Sequence, residues 1–249
     1  MEKKDFKQEL QKGGTVVSAH QPGYFPWLGY LHKIYCADIF IFMDHVAAGK
    51  GNYISRCQIR NENGPCWMSV PLRCRKCETP VMDLQFADNR FIRTHLRMLR
   101  FYGKTPFFRD FFPEVEDIMQ AASEHGSLCR LNMDILTFFM DILSIKTPIV
   151  KSSGLDICSS KARLIIDMVK AVGGKTYFSG SLAGCYQKEE DFQGAGLRLV
   201  YQDWYGFQEK NNYLQFHAPA LNGLSALDAL FNIGPEGIRE LFAGYNEKR

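Results

Sequence analysis

The sequence predicts an α/β fold of three layers, with a mostly parallel, Rossmann-like sheet carrying an inserted β-hairpin and a helical layer. Three observations predict it. Two apolar runs, Thr15 to Ala19 and Ile39 to Met43, flank a helix-like segment and make a βαβ unit. The second run is apolar at every position, as a strand covered on both faces must be. The alternation of strand and helix returns after residue 146.

Taken in order, residues 1 to 13 are charged and end at Gly13-Gly14, which predicts a short helix or a tail. The first strand covers Thr15 to Ala19, the first helix Trp27 to Cys36, and the second strand Ile39 to Met43. Tyr53 to Ile59 and Cys66 to Val70 read as strands around Asn61-Glu62-Asn63-Gly64, and Asn-Gly between such runs marks a hairpin. Val81 to Phe86 reads as one more strand. Helices follow over Arg90 to Tyr102, Phe107 to Ala122 and Leu128 to Leu143, punctuated by Pro106 and Gly126. Pro148 to Lys151 is a short strand. Ser159 or Ser160 caps a helix that runs to Val172 and ends at Gly173-Gly174. Lys175 to Ser179 and Leu197 to Tyr201 are the last strands. Helices near Ala226 to Asn232 and Pro235 to Ala243 close the chain, with Pro235 suited to a first turn. The reading is one domain over residues 1–249 with an insertion at about 50–146.

Composition narrows the function classes. Thirty basic and 27 acidic residues leave a net charge of +3, too small to imply a nucleic-acid partner. No apolar run approaches the ~20 residues of a membrane span. The N-terminus reads as a polar tail, not a signal peptide. The cysteines therefore read as free thiols in a reducing cytoplasm. Cys57, Cys66, Cys74 and Cys77 lie close enough for a zinc knuckle, although the first two fit no common ligand spacing. No cofactor is indicated.

The loop after the first strand holds the densest chemistry. His20 ends that strand, where an imidazole serves as a general base or as a structural anchor. Gln21 orients it or binds a ligand carbonyl. Tyr24, Trp27 and Tyr30 are rings for a base or a sugar face, with Tyr24 read as exposed and Trp27 equally suited to the core. Gly29 permits close packing or ligand approach. Asp44 follows the second strand at the ligand edge of such a sheet; it is a catalytic carboxylate or a turn aspartate. Lys50, between glycines, and Arg56 suit phosphate. Ser179-Gly180 ends a strand, with Cys185 and Tyr186 just beyond, and offers a hydroxyl and N–H groups to an anion. Asp228 and Asn232 share a helix face behind Ser225, as a capping arrangement or a crevice lining. Arg93, Arg97 and Arg100 read as a solvated stripe, with His95 about two-thirds of a turn away from it.

These residues also carry a resemblance. His20-Gln21-Pro22-x-Tyr24-x-Pro26-Trp27-x-Gly29-Tyr30-x-x-Lys33-Ile34 resembles the first conserved block of the WbqC-like family. Asp44, Lys50, Arg56 and Ile59 resemble the second block, and Thr176 to Gly180 with Tyr186 the third. Leu224-Ser225-x-x-Asp228-x-Leu230-Phe231-Asn232-x-Gly234 resembles the fourth. The resemblance implies a bacterial protein of O-antigen or other surface-polysaccharide biosynthesis. A weaker one links Pro26-x-x-Gly29-Tyr30 with the Pro-x-His-x-Gly-His loop of nucleotidylyltransferases; Trp27 and Tyr30 replace both histidines, so it extends to fold only. The resulting expectation is a group-transfer enzyme moving an acyl or aminoacyl group to a nucleotide-activated sugar. His20 would be the base, and Lys50 and Arg56 would hold phosphates. A noncatalytic nucleotide-sugar binding protein and a magnesium-dependent nucleotidyl-transfer enzyme remain open. In each case the partner is a small phosphorylated or nucleotide-linked molecule.

Overall fold

The structure, a computed structural model, describes residues 6–49, 53–73, 78–180, 187–216 and 218–247. After α1 (Phe6–Gln11), the chain enters β1 (Val16–His20), α2 (Leu28–Cys36) and β2 (Ile39–Phe42), the expected βαβ unit. With β5 (Ile149–Lys151), β6 (Thr176–Ser179) and β7 (Arg198–Tyr201) these strands form a five-stranded sheet in the order β5-β2-β1-β6-β7. Every pairing in it is parallel. β3 (Arg56–Asn61) and β4 (Gly64–Ser69) form a separate antiparallel hairpin, closed where Asn61 faces Gly64.

Alternate residues of the parallel strands enter different cores, which is what a strand covered on both faces requires. Val17, Ala19, Ile41 and Tyr177 pack with Ile165, Met168 and Val169 of α6 (Lys161–Ala171). On the other face Phe40 and Phe42 pack with Leu31 and Ile34 of α2. That second core continues through the hairpin into α3 (Arg90–Leu99), α4 (Phe108–His125), α5 (Leu128–Ile142) and α9 (Ala226–Glu247). The insertion therefore shares a core with the sheet.

Three expectations need correction. Val81 to Phe86 is no strand but a 3-10 turn, Val81–Asp83, flanked by isolated bridges. Its amides are already spent on the loop after β2: Val81 donates to Val46 and Met82 to Asp44. Ser160 stands at the start of α6 but makes no side-chain cap bond. Two short helices, α7 (Glu189–Gly194) and α8 (Trp204–Lys210), were not foreseen. The break between the last two predicted helices is present as a kink in α9 at Gly234, whose φ of 67° suits glycine. A Cβ there would also come within 2.8 Å of the Phe107 ring.

Candidate functional site

Strand order reverses between β1 and β6, with β2 and β5 on one side and β7 on the other. In open parallel sheets the crevice outside the carboxyl ends at such a reversal is the usual ligand position. A cavity of about 770 Å³ opens there. His20 at the end of β1 and Ser179-Gly180 at the end of β6 line it, and the His20–Pro26 loop forms one wall.

That loop is held from several sides. Phe25, buried, adopts a φ of 41°, a conformation that costs energy outside glycine and that its surroundings must enforce. The Tyr24 amide donates to the Tyr53 carbonyl, and Pro26 accepts from the Ala226 amide. Trp27 bridges Ser225, whose own amide donates to Gln58 of β3. The first block, the hairpin and the fourth block therefore meet in space.

His20 is accessible to water in the cavity while protein surrounds its ring. Its Nδ1 lies 2.9 Å from the Gln21 carbonyl, an acceptor, so Nδ1 carries the proton and the Nε2 lone pair remains. Burial and the nearby Lys33 ammonium push its pKa down to about 3, only partly offset by the Gln21 bond. The ring meets Tyr30 edge-on at 4.9 Å. Tyr30 lines the cavity, yet its buried hydroxyl has no hydrogen-bond partner among the described residues, and burial raises its pKa well above the ordinary tyrosine value. Gln21 Nε2 donates to the Ala47 carbonyl, which ties the loop to the segment after β2.

Ser179 Oγ donates to Gln187 Oε1 at 2.8 Å, and Gly180 lies beside Lys33. Gln202 donates to the Gly29 carbonyl and pairs with His32 Nδ1. At the mouth, the Trp27 and Tyr205 rings stack at 4.7 Å and 19°. Gly29 serves that stack: a Cβ there would stand 2.4 Å from the Trp27 ring. Tyr53, nearly half exposed, lines the cavity beside them.

Several expected residues lie elsewhere. Tyr24 is not exposed: it is fully buried, and its hydroxyl donates to His95 Nδ1 at 2.8 Å. His95, set off from the arginine stripe by about two-thirds of a turn, is buried too; it also bonds the Ser69 backbone, and burial pushes its pKa down to about 4. The Asp44 carboxylate accepts from the Ser152 and Ser153 hydroxyls and the Ser153 amide, and the residue is not among those lining the cavity. Asp228 accepts from the Tyr102 and Tyr213 hydroxyls inside the core. Arg56 lies over the Trp67 ring at 4.2 Å, outside the cavity lining. Lys50 and Tyr186 lie outside the described residues, as do Cys74, Cys77 and Cys185. Among the described residues no group of three or more His, Cys, Asp or Glu is placed to hold a metal.

Lys33 carries no role from sequence pattern alone, yet it lines the cavity at 3 % exposure. The available signal was its setting. α2 buries every residue but Tyr35, so a lysine within it has no route to outside solvent. Gln187, Gln202 and Tyr205 also line the cavity and carried no sequence signal, because their positions depend on how β6 and β7 pack.

Comparison with known proteins agrees with the motif. The chain is 25% identical over 222 residues to an uncharacterized protein, Rv1507c, of Mycobacterium tuberculosis, covering 88% of this chain and 94% of that one. No solved structure matches. Among the described residues no helix is long and apolar enough to cross a membrane. The WbqC-like protein family matches residues 21–240, and the chain belongs to that family.

Proposed function

We propose that this protein is a group-transfer enzyme of surface-polysaccharide biosynthesis, acting on a nucleotide-activated sugar held in the β1/β6 cavity. One observation carries the reading. His20 presents a neutral imidazole with its Nε2 lone pair available, inside a mostly apolar cavity at the carboxyl ends of parallel strands. That state suits a base in amide formation. Nε2 takes a proton from a sugar amine as the nitrogen attacks the carbonyl carbon of an activated acyl or aminoacyl donor. The carbon–nitrogen bond forms, the bond to the leaving group breaks, and the proton passes from His20 to that group. A ligand phosphate nearby raises the pKa of His20 from its depressed value, because negative charge favours the imidazolium. The Trp27–Tyr205 stack offers flat faces for a base or sugar ring, and Arg56 lies over Trp67 on the same hairpin as a contact for phosphates outside the mouth. The strand order supports a Rossmann-like, nucleotide-binding reading of the sheet.

The test is a product assay. Purified protein is incubated with amino-bearing nucleotide sugars and acyl-CoA or aminoacyl donors, and new amides are sought by mass spectrometry. His20→Ala should reduce turnover by ~10²–10⁴-fold while ligand-induced thermal stabilisation persists. Unchanged turnover rejects His20 as the base. Stabilisation by nucleotide sugars without product from any donor favours the noncatalytic binding reading.

A further inference from the structure

Among the described residues the Lys33 ammonium makes one hydrogen bond, a long one of 3.4 Å to the Ala19 carbonyl. It has three donors, and burying such a charge without compensation is costly. No carboxylate among the described residues lines the cavity to offset it. A Cβ on Gly180 would lie 4.0 Å from Lys33 Nζ, so the ammonium stands between the ends of β1 and β6. The titratable groups that line the cavity with it are His20, Cys57, Tyr24, Tyr30, Tyr53, Tyr177 and Tyr205; none is an anion at neutral pH.

Gln187 provides a second, separate observation. It is 4 % exposed and lines the same cavity. Its Oε1 accepts from Ser179 and its backbone carbonyl from Tyr201, while among the described residues no hydrogen bond is made by the amide nitrogen. Two directed N–H groups and a buried ammonium thus border Ser179 and Gly180, consecutive residues at the end of β6.

We propose that Lys33 and Gln187 form an anion subsite in this cavity, which takes a carboxylate or phosphate group of the ligand. A group with several anionic oxygens satisfies both partners at once: charge from Lys33, direction from Gln187. Burial pushes the Lys33 pKa down to about 7. Anion binding therefore takes up a proton on Lys33 and weakens as pH rises further. The proposal rests on the cavity being the ligand site, as read above, and not on the reaction.

Calorimetric titration of the full chain with sulfate and with acetate tests it, since neither anion changes charge between pH about 6 and about 8.5. Sulfate stands in for phosphate. One or both should bind the wild type, with affinity falling ~10-fold per pH unit above about 7. Lys33→Met should weaken binding at least ~10-fold, and Gln187→Leu should weaken it by a smaller factor. Sulfate alone would mark a phosphate subsite and acetate alone a carboxylate subsite; either supports the proposal. No binding up to about 100 mM of either anion overturns it, as does a folded Lys33→Met that binds as tightly as the wild type. Should Lys33→Met misfold, the wild-type pH dependence decides: constant affinity across that range overturns the subsite. Lost anion binding with His20-dependent turnover intact removes the subsite alone, and the converse removes the reaction alone.

Discussion

The Tyr24–His95 pair shows how a motif residue can serve its site from beneath. Tyr24 donates to His95 Nδ1, and His95 bonds the Ser69 backbone, so one hydrogen-bonded line joins the His20 loop to α3 and the end of β4. Both residues are buried, so deleting one partner leaves the other without water to replace it. Tyr24→Phe should destabilise the protein by about 1–3 kcal/mol, read as a lower denaturant midpoint at unchanged slope. An unshifted midpoint would show that the pair contributes nothing to stability. A tyrosine in a Pro-rich loop reads as amphipathic and exposed, because the residue that buries its hydroxyl is 71 positions away. Asp44 and Asp228 were legible as either site or structural groups; the serines that bond Asp44 lie 108 and 109 positions away, and one of the two tyrosines that bond Asp228 lies 126 away. Local pattern identifies a polar residue that needs partners; it does not say whether those partners belong to the protein or to a ligand. The place of His20 on the cavity wall was legible for the opposite reason, since strand-end position is local.

Element identity followed from period and punctuation wherever an element was long enough to show a period. β1, α2, β2 and the hairpin fell within a few residues of expectation, since an all-apolar run, a Gly-Gly pair and an Asn-Gly turn are local signals. α7 and α8, of six and seven residues, are too short for a 3.6-residue period to repeat convincingly. Val81 to Phe86 was misread because Val81, Leu84 and Phe86 are all buried, a spacing that a short apolar segment shows in either structure. Between elements, α2 and its preceding loop are fitted through Gly29. No side chain is tolerated there while Trp27 lies across the helix start and stacks on Tyr205. Gly29→Ala should displace the Trp27 ring, break the stack and destabilise the fold by about 1–3 kcal/mol. Near-UV circular dichroism and denaturant unfolding measure the two effects separately. An unaltered aromatic spectrum with wild-type stability would mean that Gly29 has some other role.

At the scale of the molecule, the insertion was legible as a change in pattern but not as part of the core it completes. Phe40 and Phe42 of the sheet share one apolar cluster with Met68 of the hairpin, Leu96 of α3 and Phe231 of α9, so the cavity wall and the insertion stand on common packing. Titratable groups inside this shared interior make stability a function of pH with a definite sign. His95 moves from 6.5 to about 4 on folding, so between those values the unfolded chain holds more protons and stability falls as pH falls. Lys33 moves from 10.5 to about 7, so across that window the unfolded chain again holds more protons and stability rises with pH. Tyr24 and Tyr213 are raised well above 10, chiefly by burial, so above pH 10 the unfolded chain ionises first and stability falls again. The Cys57 thiol, normally near 9, is likewise pushed up by burial, so the fall sets in from about pH 9 and the maximum should lie between about pH 7 and 9. Denaturant midpoints across that range measure it, and Lys33→Met isolates the cause. Removing the buried amine should abolish the rise above pH 7; the acid limb, which His95 and His20 share, should persist through His95 and become shallower where His20 loses the Lys33 charge that helps depress it. A wild-type profile that is flat from pH 7 to 9, or a variant profile that still rises there, would mean that Lys33 keeps its proton on folding. An anion held at Lys33 would act on this same limb. By favouring the charged amine it would move the rise to higher pH, so the stability profile with and without sulfate reports on the cavity independently of any turnover.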